Sequence, residues 1–160
     1  MPKNSRLRSG CDDRLDIEQA QPGTYVLVLS SRSADLIQIG KLGDLRLQSG
    51  FYLYVGSALG PGGVRARLAH HLKVSLRPHW HIDCLRAHTR IEEIWYCLDD
   101  QRLEHVWAKH INLAEGASVP LLGFGSTDCG CESHLFFFER RPSRERFRKA
   151  LGTGIRTISC

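Results

Sequence analysis

The chain has 160 residues, 42% hydrophobic and 24% charged, and its 22 Lys and Arg against 17 Asp and Glu give a net charge of +5. That length suits one domain with its own hydrophobic core, and the composition excludes disordered and collagen-like classes. No apolar run reaches the roughly 18 residues that a bilayer span needs, and the polar opening stretch lacks a signal-peptide core, so the reading is cytoplasmic with no membrane partner.

Residues 1–21 read as a loose arm, ended by Pro22-Gly23. Thr24 to Leu29 is apolar on both faces and predicts a buried central strand. Residues 36–39 and 44–47 flank Gly40-Lys41-Leu42-Gly43 and predict a hairpin. Phe51 to Ser57 is a further strand, with Phe51, Leu53 and Val55 on one face and Tyr52 and Tyr54 on the other. After the loop Gly60-Pro61-Gly62-Gly63, the stripe Val64, Leu68, Leu72 predicts a helix, with Arg67 and His71 at one margin of it. His79 to Asp83 opens a short helix, and Ile91 to Leu98 is strand-like. Asp99 or Asp100 is placed to cap the next helix, which carries Leu103, Val106, Trp107, His110 and Ile111, with Glu104 bordering its buried side. Residues 112–133 are loop-rich, 134–138 predict a last strand and 143–151 a basic helix.

Two tripeptides stand in order on strands, Gly23-Thr24-Tyr25 and Tyr54-Val55-Gly56. A helix with Arg67 and His70-His71 follows, then one with Glu104 three positions before Trp107. The set resembles the GIY-YIG nuclease superfamily across roughly residues 23–138. It is most similar to a bacterial and archaeal branch with His-Trp-His-Ile-Asp and Asp-Cys-x-Cys-x-x-His segments. The resemblance implies an α+β fold: a central, largely antiparallel sheet flanked by helices, here with an extra hairpin at 32–50 that should enlarge the sheet. It divides the chain into the arm, a nuclease-like domain at 22–140 and a basic segment at 141–160. It also implies a nuclease that hydrolyses phosphodiester bonds, of DNA rather than RNA, in repair or processing.

The residue types suit that chemistry. A carboxylate such as Glu104 can hold Mg²⁺ or Mn²⁺, with water and phosphate oxygens completing the shell. Arg67 offers a planar fork of donors to phosphate, with Arg65 as its rival. The resemblance assigns the base to Tyr54 with Tyr25 as helper; His71 or His79 could take or shuttle the proton instead. Gly56, Ser57, Arg65, His81 and Asp128 are expected on the substrate path. The asparagine that many members carry is missing here, where the matching loop reads Gly125-Ser126-Thr127-Asp128.

The six cysteines, at 11, 84, 97, 129, 131 and 160, are expected to stay reduced. Cys129, Cys131 and His134 have spacing that can bind zinc, with Cys84, Cys97, His79 or His81 completing four ligands. Without paired C-x-x-C motifs, the favoured reading is a loop that shapes the site. The positive balance favours a nucleic-acid partner, because each neutralised phosphate releases a condensed counterion. Much of it lies in Arg140, Arg141, Arg144, Arg146, Arg148, Lys149 and Arg156, which a solvated helix also explains. Two other functions stand beside the nuclease: an inactive nucleic-acid-binding module of the same fold, and a zinc-stabilised interaction protein.

Overall fold

Thr24 to Leu29 does form the centre of a sheet, in strand β1 (Gly23–Ser31). The computed structural model describes residues 15–17, 19–152 and 154–160. β1 lies between β4 (Gly50–Ala58) and β5 (Arg90–Leu98), with β6 (Leu135–Phe138) beyond β4 and β7 (Arg156–Ser159) beyond β5. All four pairings are antiparallel, so among the described residues the domain is α+β around a five-stranded antiparallel sheet. No helix among them is long and apolar enough to cross a membrane.

The alternation read in Phe51–Ser57 sorts side chains between two cores. One face of the sheet packs Tyr25, Leu27, Leu29 and Tyr52 against helix α1 (Gly63–His71) and helix α2 (His81–Arg86). The other packs Val26, Val28, Leu53 and Val55 against helix α3 (Glu104–Asn112) and helix α4 (Arg144–Leu151). Val64 and Leu68 of the predicted stripe are fully buried, each worth roughly 1.5–3 kcal/mol of transfer free energy.

Four expectations need correction. The hairpin of β2 (Asp35–Ile39) and β3 (Gly43–Leu47) makes its own two-stranded sheet rather than enlarging the central one. Its apolar face, Ile37, Ile39, Leu45 and Leu47, joins the core beneath α2. Neither Asp99 nor Asp100 caps α3, whose N-cap is Leu103 with no side-chain bond; Asp99 instead accepts from the Gln101 N–H. The strand at 135–138 is not the last, since β7 follows it. Finally, Cys160 is disulfide-bonded rather than a thiol, while Cys84, Cys97, Cys129 and Cys131 are free. Cys11 and most of the expected arm lie outside the described residues, but Ile17 is buried in the core and the Gln21 carbonyl accepts from the Val64 N–H.

Of the basic tail residues, Arg141 and Arg144, though partly exposed, reach back to the sheet. Both bond the buried carboxylate of Glu93 on β5, at 3.2 and 3.0 Å. Part of the tail's charge therefore serves the fold.

Candidate active site

The two tyrosines are brought together by register. Tyr25 stands opposite Gly56, so Tyr54, two residues earlier on β4, is its diagonal neighbour on the same face. Their ring centroids are 6.5 Å apart. The motif glycines have a steric cause. A Cβ on Gly56 would fall on the Tyr25 phenol, and one on Gly23 would meet the Cys97 carbonyl of β5 and Val64 of α1.

Gly62 and Gly63 adopt positive φ, 83° and 59°, and turn the chain into α1. That helix delivers Arg67 and His71 to the tyrosines. The Arg67 guanidinium lies 4.4 Å from the centre of the Trp80 ring, a cation–π contact that holds it over the indole. Arg65 is exposed and does not line the cavity, so of these two Arg67 is the one at the site; Arg102 lines it as well.

His71 Nε2 is 2.7 Å from the Tyr25 hydroxyl, but the ring is 1% exposed. Burial, then His70 and Arg67, lower its pKa to about 3. His71 is therefore neutral at neutral pH and only a weak base there. Its Nδ1 has no partner among the described residues. A bare lone pair there costs less than an unpaired N–H, so the tautomer protonated on Nε2 fits. His71 then donates to the Tyr25 oxygen, and the nearby Arg67 charge favours the anionic form of that phenol. The phenolic proton is left to point elsewhere.

Asp83 locks the next element. One oxygen accepts from the N–H groups of His79 and Trp80 at 2.9 and 3.0 Å, and the other meets His70 Nε2 at 2.8 Å. Burial opposes ionisation, yet these donors hold the carboxyl below its ordinary value. Arg86 ties α2 back to α1 through its Nε bond to the His71 carbonyl, 2.9 Å.

A cavity of about 400 Å³ opens over this assembly. Its walls include Tyr25, Tyr54, Gly56, Ser57, Arg67, His79, His81, Glu104 and Asp128. All the sequence-predicted catalytic, metal and substrate residues except His71 and Arg65 thus share one space. Glu104, the first residue of α3, is 12% exposed and makes only long ion pairs, both 3.7 Å, with Arg102 and His105. Burial pushes the Tyr54 phenol up to about 12, with Arg67 pulling down and Glu104 and Asp83 pushing further up. Tyr25 is held well above the ordinary phenol value, by burial first and Tyr54 next. His81 Nδ1 accepts from the Gly125 N–H at 3.1 Å, and burial lowers its pKa. The neutral ring therefore presents its Nε2–H as a donor.

Beside Glu104 lies a second group. His105, Cys129, Cys131 and His134 each offer a ligand atom, and all four atoms lie within 4.8 Å of one another. His105 Nδ1 is 3.2 Å from Cys131 Sγ, and His134 Nε2 is 3.5 Å from Cys129 Sγ. Cys84, Cys97, His79 and His81 are not members of this group, so the completing residue is one the sequence reading missed. Its only signal there was its place next to Glu104. His70, His71 and Asp83 also meet within ligand distance, but Tyr25 bonds His71 and the His79 and Trp80 N–H groups bond Asp83. The chain thus has His/Cys and His/Asp groups that could hold a metal ion.

Residues 24–156 match the family described as Domain of unknown function DUF123. No curated protein and no solved structure matches the chain.

Proposed function

From a chain that belongs to the DUF123 family, with the match spanning every residue of the cavity, we propose a metal-dependent nuclease that hydrolyses phosphodiester bonds in nucleic acid, DNA before RNA. The observation that carries the reading is the meeting of two phenols, a guanidinium and a carboxylate from distant segments at one open cavity. Sequence resemblance to the GIY-YIG nucleases supports the same assignment.

Arg67, held over the Trp80 ring, would receive two phosphate oxygens in its fork of donors. Tyr25, whose oxygen is held by His71, would turn its proton toward the phosphate. His81 and Ser57 would add donors along the backbone path. The site suits Mg²⁺ or Mn²⁺, because Glu104 presents a lightly engaged carboxylate to the cavity. When bound, the cation would supply charge for the leaving alkoxide and lower the pKa of nearby water and phenol. Tyr54 remains the candidate base, and of the two histidines considered for that role only His79 reaches the cavity.

The test is incubation of the full chain with single- and double-stranded DNA, with and without Mg²⁺ or Mn²⁺. Metal-dependent cutting supports the proposal. The Tyr54 phenol at about 12 favours a second reading, a module that grips the backbone without cutting it. Salt-sensitive binding with no cleavage in either metal would establish that reading and end the first.

A further inference from the structure

We propose that His105, Cys129, Cys131 and His134 form a closed tetrahedral zinc site that fastens the loop after residue 124 to the first turn of α3. The donor geometry is the first support. Zinc bonds of about 2.3 Å to sulfur and 2.0–2.1 Å to nitrogen, at tetrahedral angles, put a sulfur and a nitrogen about 3.6 Å apart. The two sulfur–nitrogen pairs stand at 3.2 and 3.5 Å, and no pair in the group exceeds 4.8 Å. Little movement is needed to close a shell around one ion.

Ligand chemistry is the second support. Two sulfurs and two imidazoles select zinc, whereas the oxygens of Glu104 and Asp128 suit a hard cation. Binding converts two thiols to thiolates and releases two protons to solvent, so two negative ligands cancel the 2+ charge. The neutral unit leaves the Glu104 carboxylate available to its own cation. Four protein ligands leave no position for water, which makes the ion structural rather than catalytic.

The third support is mechanical. Residues 125–133 contain no strand or helix. The loop is anchored by backbone bonds such as Gly123 to Glu132 and His134 to Phe124, both 2.8 Å, at its two ends. Between them it carries Thr127 and Asp128 into the cavity wall. A zinc at Cys129 and Cys131 would hold that span to His105, and so to its neighbour Glu104. The inference is independent of the nuclease reading, because its readouts are metal content and spectrum.

The full chain, purified without a metal-affinity step, is analysed for metals and then exchanged with Co²⁺. One zinc per chain is expected, with cobalt giving tetrahedral d–d bands and thiolate charge transfer. Cys129→Ser with Cys131→Ser should lose zinc, as should His105→Ala, whose partly exposed side chain makes it the variant safest to fold. Cys84→Ser should keep it. A wild-type chain that takes up neither zinc nor thiolate-bound cobalt overturns the proposal. So does undiminished zinc in the double cysteine variant.

Discussion

Acidification should reveal His71. Its folded pKa of about 3 lies far below the ordinary imidazole value, so the unfolded chain binds a proton that the fold excludes. The stabilisation is complete above the unfolded value of roughly 6.5 and is lost as pH falls from there toward the folded one. At about pH 5 the unfolded ring sits about 1.5 units below its pKa, and each unit is worth about 1.4 kcal/mol. The loss between pH 7 and 5 is therefore about 2 kcal/mol, or roughly 4–8 °C in Tm for a chain of this size. The figure depends little on the folded value, because pH 5 remains well above it. Urea denaturation at both pH values, for the native chain and for His71→Gln, measures it. The glutamine keeps an amide donor for Tyr25 but cannot titrate, and other acid-sensitive groups cancel in the difference. The native chain should lose about 2 kcal/mol more than the variant. Parallel losses would refute the assignment of a neutral, proton-excluding His71.

Tyr54→Phe and Arg67→Ala should each reduce cleavage by about 100-fold or more while Tm stays within a few degrees; unchanged turnover would remove these residues from the site. Glu104→Gln should abolish the Mg²⁺ dependence together with activity, and a normal metal titration would show that the ligand lies elsewhere. Replacing both Arg141 and Arg144 by Ala leaves the buried Glu93 carboxylate without its two cations, at a cost of about 1–3 kcal/mol in urea denaturation. Either single replacement should cost clearly less, since one arginine remains. Gly56→Ala should cost about 1–3 kcal/mol, because the added methyl meets the Tyr25 ring; an unchanged urea midpoint would contradict the packing.

The elements that could be read from sequence are those whose pattern repeats. β1 is apolar on both faces, β4 alternates, and α1 carries Val64 and Leu68 one turn apart. β7 gives no such signal, since Ile158 is its one buried side chain among Arg156, Thr157 and Ser159. The hairpin was legible as a hairpin, but its docking was not. Its apolar face could have met a sheet edge or a helix equally well, and only the fold puts it under α2. For site residues the missing quantity was depth. Spacing puts His71 beside Arg67 on one helix, yet one reaches the cavity and the other is sealed behind Tyr25. His105 escaped for the complementary reason. Its Cys131 neighbour is 26 positions away, and no periodicity connects a helix start to a glycine-rich loop.

Glu104 belongs to a helix packed on the opposite face of the sheet from α1, which supplies Arg67. The two meet because Glu104 occupies the first turn of α3. Carboxylate and guanidinium thus approach the cavity from different layers, and neither layer covers it. That placement makes the cavity wall depend on how α3 begins. Its N-terminus has no side-chain cap, and His105 in its first turn meets Cys131 of the loop at 3.2 Å. The position of the proposed metal-binding carboxylate then depends on the neighbouring cysteine–histidine group, of which His105, Cys129 and His134 line the same cavity.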